Sequence, residues 1–289
     1  MKTLNVIGCG RVGQTLARLW QQQGLYAVQD LHARSIASAA QAAQFIGSGR
    51  PVADLAGMRP ADVWMLTVPD AQVAAIAAEL AQVVPATDPA GTADTMATQP
   101  IAFHCSGFLA AAVLEPLRER GWKIASAHPM LNFASPETGV RQFAGTPCGL
   151  EGDGLAVTVL ISALTEVGGE CFTVSSEFKP LYHAGAVFSS NFMVVLQGIA
   201  CDAWRAAGVP DRMLPRLNAA LLQSTVTNVV NLGPAQALTG PAARGDSAVI
   251  EAQGEIVAKW NPLAGEAYRT LSLLARRLAQ SGTSSQQDT

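Results

Sequence analysis

Charge is scarce in this chain. Only 14% of its 289 residues are Asp, Glu, Lys or Arg, and the formal net charge is −3. A surface so poor in cations gives no electrostatic reason to expect nucleic acid or an anionic membrane as partner. Aromatic residues are few as well, at 6%, yet 49% of the chain is apolar. That composition excludes disorder and leaves material for a large core of small aliphatic side chains. The five cysteines, Cys9, Cys105, Cys148, Cys171 and Cys201, form no C-x-x-C pair and have no histidine pattern beside them. Neither a disulfide framework nor a metal site is expected, and reduced thiols in a cytoplasmic protein are the plain reading. No G-x-S-x-G elbow is present, which excludes the usual serine-hydrolase arrangement. A strand pattern starts almost at the first residue, so no signal peptide is expected. The most apolar long stretch, Ala184 to Ala200, is interrupted by Ser189, Ser190, Asn191 and Gln197, which predicts a buried helix and not a membrane span.

What the chain does have is a glycine turn in the right setting. Thr3 to Ile7 is a short apolar run of the kind that makes a buried strand, and it leads directly into Gly8-Cys9-Gly10-Arg11-Val12-Gly13, which fits G-x-G-x-x-G. Leu16, Leu19 and Trp20 then recur at helical spacing before Gly24. Strand, glycine turn and helix in succession are what a dinucleotide site requires: Gly8 for the turn, Gly10 for close approach of a diphosphate, Gly13 for helix-on-strand packing. The free N–H groups of Gly10, Arg11, Val12 and Gly13 at the helix start would face the phosphates. In an NAD site an acidic residue is expected at the end of the second strand, roughly 20 residues past the glycines. Here Tyr26 to Leu31 is followed by His32-Ala33-Arg34-Ser35, while Asp30 falls inside the strand. A cation and a hydroxyl at that place suit a 2′-phosphate, so Arg34 and Ser35 favour NADP over NAD.

Strand and helix patterns alternate as far as Val174. The strand Asp62 to Val68 ends at Val68-Pro69-Asp70, Ile101 to His104 ends in His104-Cys105-Ser106-Gly107, and Lys123 to Ala127 ends in His128-Pro129. Those ends would share the carboxyl edge of a sheet, facing the cofactor, with Val68 and Pro69 beside it and Ser106, Gly107 and His128 beside the substrate. A helix is expected over Leu109 to Arg120. From Glu177 onward only helical periodicity remains, and one long helix is expected from Leu181 to Ala207. The fold class is therefore α/β: a Rossmann-type, mostly parallel sheet followed by an all-α C-terminal domain. The expected domains are an NADP-binding domain over 1–174, a helical substrate and dimerisation domain over 175–280, and a flexible tail over 281–289.

The helical part carries one unusual segment, Lys179 to Asn191. Lys179 and His183 are four apart and share a helix face; Asn191, eight past His183, lies about 80° around on a continuous helix. Polar groups on an otherwise apolar helix need partners, and a cleft beside a nicotinamide would supply them. His183 or Lys179 could then exchange a proton with substrate while Asn191 orients it. Arg244 and Asp246, in Thr239 to Asp246, read equally as ligand-binding or as a subunit contact. Cys105 reads as an inert packed thiol.

Taken together, the glycine motif, Arg34-Ser35, His104 to Gly107, His128-Pro129-Met130, Lys179 to Asn191 and Thr239 to Asp246 resemble a family of Rossmann-like proteins with a helical C-terminal domain of unknown function, commonly labelled NADP oxidoreductases. More distantly the chain is similar to the 6-phosphogluconate dehydrogenase-like superfamily, which includes ketopantoate reductases, hydroxyisobutyrate dehydrogenases, pyrroline-5-carboxylate reductases and coenzyme F420-dependent NADP reductases. The resemblance implies an N-terminal NADP domain, a helical domain that forms a homodimer, and an active site between them. Hydroxyacid dehydrogenases of that superfamily carry a helix lysine followed four residues later by asparagine; Lys179 matches the lysine, but His183 stands at the later position. Ser106-Gly107 resembles the superfamily's substrate-carboxylate loop without its usual extra glycine. The expectation is an NADP-dependent oxidoreductase acting on a small, carboxylate-bearing carbonyl, imine or hydroxy compound. The rival reading is a catalytically silent NADP-binding sensor.

Overall fold

The computed structural model describes residues 1–84 and 99–284. The loop expected over 86–99 lies outside the described residues except for Gln99, as does the tail beyond residue 284. Contacts divide the chain into two compact units, Met1–Phe188 and Ser189–Thr289. The change of sequence character at Ser175 comes one short helix earlier, because the helix that carries Lys179 and His183 belongs by its contacts to the first unit.

The first unit is built on one eight-stranded sheet: β1 (Lys2–Ile7), β2 (Tyr26–His32), β3 (Arg50–Val52), β4 (Val63–Leu66), β5 (Ile101–His104), β6 (Lys123–Pro129), β7 (Pro147–Gly152) and β8 (Glu170–Thr173). Their order across the sheet is β3-β2-β1-β4-β5-β6-β7-β8, and all neighbours are parallel except β6 and β7. The order reverses between β1 and β4, so a crevice opens there at the carboxyl ends of the strands. Helices α1 (Arg11–Gln22), α2 (Ile36–Ile46), α3 (Asp70–Val83), α4 (Glu115–Arg118), α5 (Pro136–Gln142), α6 (Gly154–Glu166) and α7 (Lys179–Ser189) complete the unit. Side chains alternate across each strand, and the two sheet faces hold separate cores. Leu4 and Val6 pack with Leu16, Trp20, Phe103 and Leu160 on one face. Ile7, Trp64 and Leu66 pack with Val73, Leu80, Leu114 and Trp122 on the other. Trp20 reaches across to donate from Nε1 to the Ala163 carbonyl at 2.8 Å, which ties α1 to α6.

Two expected helices differ from the observed ones. Leu109 to Arg120 is instead a 3-10 turn over Ala111–Leu114 followed by the single turn α4. Pro116 is the reason: proline is tolerated in the first helical turn and not beyond it, so the helix can begin only at Glu115. The long helix expected over Leu181 to Ala207 breaks at Ser190, whose φ of −121° and ψ of −68° are not helical. It becomes α7, of 11 residues, and α8 (Asn191–Ala206), of 16. Ser176–Ala206 as a whole is long and apolar enough to cross a membrane by length and composition. Each of its two helices falls short of the roughly 20 residues a span requires. The expectation that Ala184 to Ala200 would be buried is also corrected, since no residue of α8 is buried in the single chain.

The second unit contains α8, α9 (Leu214–Leu232), the short α10 (Pro234–Ala237) and α11 (Pro241–Arg244), and the paired α12 (Ser247–Trp260) and α13 (Pro262–Ser281). Asn261 ends one helix of that pair and caps the next, its Oδ1 accepting from Ala264 N at 3.1 Å. A Cβ on Gly265 would lie 2.6 Å from the Ala258 backbone, so glycine is what lets α12 and α13 touch.

Candidate active site

The glycine turn is where the sequence placed it. Gly8 has φ +93°, a conformation glycine adopts without cost, and its N–H donates to the His32 carbonyl at 2.8 Å. A Cβ on Gly8 would sit 2.6 Å from the backbone between Thr67 and Val68. Thr67 Oγ1 donates to the Gly8 carbonyl, which locks the turn to the end of β4. Gly13 lets α1 lie against that turn, for a Cβ there would collide with Thr67 Oγ1 and would stand 2.6 Å from the Gly8 carbonyl. Gly10 is the N-cap of α1, offers no capping side chain, and has open space where its Cβ would be. The first N–H groups of α1 have no intrahelical partner, and together with the helix dipole they form an anion site.

This helix start borders a cavity of about 600 Å³ lined by Gly8, Cys9, Gly10, His32, Ala33, Arg34, Ser38, Thr67, Val68, Pro69, Gln72 and Ile76. Arg34, Val68 and Pro69 line this cavity. Ser35 serves instead as the N-cap of α2: its Oγ accepts from Ser38 N at 3.2 Å and lies 2.9 Å from Ser38 Oγ, the hydroxyl that does line the cavity. Val12 packs against the core, and one nitrogen of the exposed Arg11 guanidinium donates to the Phe133 carbonyl at 3.2 Å. Asp30 is withdrawn from the cavity. Its buried carboxylate takes Nε of Arg50 at 2.9 Å, the Arg59 guanidinium at 2.7 Å and the Arg59 N–H at 2.7 Å. Burial raises its pKa, but the hydrogen bonds from Arg59 and Arg50 outweigh this and hold it at about 2. The charged side chain lining the cavity is thus a cation, Arg34.

Beyond Pro69 the same sheet edge holds a second cluster. Ser106 Oγ donates to Asp70 Oδ2 at 2.7 Å and accepts from the N–H groups of Phe108 and Leu109 at 3.1 and 2.9 Å. This hydroxyl holds the turn in place, its proton given to Asp70. Lys179, at 2% exposure, is buried under the turn. Its Nζ donates to the Ser106 carbonyl at 2.9 Å and to Ser126 Oγ, with Glu151 Oε1 at 3.8 Å. Glu151 also accepts from Ala111 N at 2.7 Å and from Ser176 Oγ at 2.6 Å. Burial lowers the pKa of Lys179 while Glu151 opposes the shift. Lys179 therefore braces the Ser106–Gly107 turn from beneath and does not face open space, contrary to its expected part in proton exchange. His104 braces the turn from the strand end, with Nδ1 accepting from Ser106 N at 3.2 Å and Nε2 at 3.2 Å from the Ala110 carbonyl. Burial and Lys179 push its pKa down to about 4.

His128 and His183 do come together. Their rings meet edge-on with centroids 5.8 Å apart, above Gly107. His128 Nδ1 lies 3.0 Å from Tyr182 Oη, and Tyr182 itself fits against Gly149, the β7 residue paired with His128 across the sheet. Burial, then Lys179 and His183, push the His128 pKa down to about 4, so it is neutral at pH 7. Burial pushes the Tyr182 phenol up to about 12. Tyr182, Asp70, Ser126 and Glu151 escaped the sequence reading. Tyr182 stands next to His183, but nothing in the spacing signals that it bonds a histidine 54 residues earlier. Asn191 begins α8 in the second unit, where its Oδ1 accepts from Ser190 Oγ at 2.8 Å. The break at Ser190 removes the continuous helix on which its alignment with His183 was argued. Arg244 and Asp246, also in the second unit, pair with each other at 3.1 Å in an exposed position. Burial pushes the thiol pKa values of Cys105 and Cys9 up to about 12.

Comparison with known proteins agrees with the fold. Residues 2–129 match the model of a Rossmann-like domain, and residues 146–275 match that of a domain of unknown function, DUF2520. No curated protein matches the sequence. Among solved structures, a protein from Thermotoga maritima is similar over 96% of this chain and 99% of its own, with 24% identity and a TM-score of 0.74. The "putative NADP oxidoreductase BF3122" from Bacteroides fragilis is similar over 96% and 98%, with 23% identity and a TM-score of 0.70. A pyrroline-5-carboxylate reductase from Coxiella burnetii is similar over 97% and 99%, with 15% identity and a TM-score of 0.57. At these identities the likenesses concern the fold.

Proposed function

We infer that this chain, which joins a Rossmann-like domain to a DUF2520 domain, is an NADP(H)-dependent oxidoreductase of a small carbonyl, imine or hydroxy compound. The observation that carries the reading is the uncapped start of α1 at Gly10, opening on a cavity whose charged side chain is Arg34 while Asp30 is held away by two arginines. The backbone N–H groups from Arg11 to Gly13 would take the diphosphate, and Arg34 with Ser38 the 2′-phosphate. When bound, the nicotinamide supplies or accepts the hydride. Val68 and Pro69, at the cavity wall, lead the chain into Asp70 and so into the cluster around Gly107. There the histidine pair His128 and His183 exchanges the proton, and Lys179, His104 and Ser106 hold the turn on which the pair rests. The bearing of similar folds is supportive in kind: one neighbour is named for NADP and another is named a pyrroline-5-carboxylate reductase.

Titration of the purified protein with NADPH and with NADH, followed by fluorescence, tests this. NADPH is expected to bind at least tenfold more tightly, and Arg34→Ala to remove most of that difference, as loss of a charge-assisted phosphate contact would. Tighter binding of NADH, or binding of neither nucleotide, would overturn the assignment.

A further inference from the structure

The last two strands of the sheet carry a pair of thiols. β7 and β8 run parallel, and Cys148 stands directly opposite Cys171 in their register. Partners of that kind project from the same face of a sheet. Both side chains accordingly pack on the face covered by α6, where Cys171 Sγ donates to the Ile161 carbonyl at 3.8 Å and accepts from Thr165 Oγ1 at 3.8 Å. The two thiols are also hydrogen-bonded to each other. Neighbouring strands lie about 4.7–4.9 Å apart, inside the Cα separation of about 4.4–6.8 Å that a disulfide spans. Cys105 is no rival partner for Cys148, because β6 stands between the strand it follows and β7. Both cysteines of the pair are free thiols.

The two thiols are unequal in the way an exchange pair requires. Cys148 is fully buried, and burial together with the neighbouring Cys171 pushes its thiol up to about 12. Cys171 is half-buried on the edge strand β8. Burial raises its pKa as well, but the hydrogen bonds from Thr165 and Cys148 oppose the rise. Cys171 is therefore the thiol that ionises first and that a reagent can reach, with Cys148 held behind it. We propose that Cys148 and Cys171 are a reversible disulfide site, entered by small disulfides through Cys171, and that its closure moves Tyr182 against His128. The Cys171 proton passes to solvent, and the thiolate attacks one sulfur of the small disulfide. That S–S bond breaks, a first small thiolate leaves, and a mixed disulfide remains on Cys171. Cys148 then gives its proton to the departing thiolate and attacks Cys171 sulfur, which releases the second small thiolate to take up a proton from solvent. Two protein thiols have lost two electrons, and one small disulfide has become two small thiols.

The consequence for Tyr182 follows from the register. The residues next in line after the two cysteines are Gly149 and Phe172, which are themselves partners across β7 and β8. Tyr182 rests on both. A Cβ on Gly149 would lie 2.6 Å from Tyr182 Oη, and the Phe172 ring meets the Tyr182 ring edge-on with centroids 6.1 Å apart. Sulfurs in hydrogen-bond contact must approach to about 2.05 Å to bond, so closure draws the two strands together at this point. Interiors are close-packed and pass such shifts on. The Tyr182 hydroxyl, 3.0 Å from His128 Nδ1, is where the shift arrives. The proposal does not depend on the oxidoreductase reading, since neither thiol lines the cofactor cavity.

The test treats the reduced full chain with bis(2-hydroxyethyl) disulfide under native conditions, blocks the remaining thiols and maps the peptides by mass spectrometry. One disulfide per chain is expected, joining the peptides of Cys148 and Cys171 and lost on reduction with dithiothreitol. In Cys148→Ser the reaction is expected to stop at the mixed disulfide on Cys171. In Cys171→Ser, Cys148 is expected to stay unmodified. If Cys148→Ser does not fold, the map of the unmodified chain together with Cys171→Ser still decides. With 15N-histidine label, oxidation is expected to shift the His128 ring nitrogens by NMR and to leave those of His32 in place. Failure of the Cys148–Cys171 disulfide to form, its formation with Cys105 in place of Cys171, modification of Cys148 without Cys171, or His128 signals indifferent to oxidation would each overturn the proposal. NADPH binding enters none of these readings, so loss of the cofactor assignment would be distinguishable from loss of this one.

Discussion

Lys179 shows what sequence spacing can and cannot say about a single residue. Its four-residue offset from His183 correctly puts both on one helix, α7, yet the two side chains serve different ends. His183 packs directly on Gly107, whereas Lys179 runs beneath the turn to the Ser106 carbonyl and Ser126. The contacts that make this difference come from residues 53 and 73 positions away, and no local pattern encodes them. If Lys179 is a brace, its replacement acts first on stability. Lys179→Met keeps the length and removes the charge, leaving Glu151 and the Ser106 carbonyl buried with a partner lost. A loss of about 3 kcal/mol is expected, read as a lower urea midpoint at constant slope. Unchanged stability accompanied by lost turnover would return Lys179 to the reacting groups. His104, buried in the same network, predicts a pH dependence. Its pKa falls from about 6.5 unfolded to about 4 folded, so the unfolded chain binds the extra proton between those values. Stability is therefore present above pH 6.5, declines as the pH falls towards 4, and is lost in full below it; Asp30 adds a further decline nearer pH 2. Urea midpoints measured between pH 7 and pH 5 should fall, and a flat profile would contradict the buried neutral imidazole.

Among the elements, those with strong periodicity and clean punctuation were legible: β1, α1, β2 and β5 all lie within a few residues of where apolar spacing and glycine put them. The α1 start is the clearest case, since Gly8 and Gly13 each do a separate steric job that the motif implies. Gly13→Ala tests the closest of these contacts. A methyl there meets Thr67 Oγ1 and the Gly8 carbonyl, which is backbone and cannot swing aside. A destabilisation of about 1–3 kcal/mol is expected, together with weaker NADPH binding because α1 is pushed off the turn. Normal stability and binding would mean that α1 shifts freely on the sheet. Where elements were misread, the causes are specific. Pro116 was passed over as a helix start, α5 is too short for two full turns of periodic signal, and Ser190 interrupts a stretch whose apolar spacing runs straight through it. β7 pairs antiparallel to β6, a reversal that depends on the chain path between them and leaves no mark in either strand.

At the scale of the whole molecule the distribution of apolar surface is uneven. The first unit carries both cores, while α8 has no buried residue and α9 has only Leu214. Val194 and Val230 are 72% and 77% exposed, and Phe192, Val195, Leu221, Val226 and Val229 are exposed beside them in sequence. Apolar faces of this extent are rare on monomers. We propose that a second copy of the chain covers them, because a homodimer buries the same helices from both partners at once and needs no other complementary surface. A stable interface of this kind requires roughly 1,200–2,000 Å² of buried surface, which two 16- to 19-residue helices per chain can supply. Light scattering after gel filtration should give twice the 30.1 kDa chain mass at micromolar concentration. Placing one charge on each helix, as in Val194→Glu with Val230→Glu, should weaken the dimer by at least a hundredfold, since four carboxylates would have to be desolvated at the contact. The cofactor mouth at Gly10 and the Gly107 cluster are both formed inside the first unit, so NADPH binding should survive in a dissociated variant that stays folded. A wild-type chain that runs as a monomer across the whole concentration range would remove the second copy as the cover for α8 and α9.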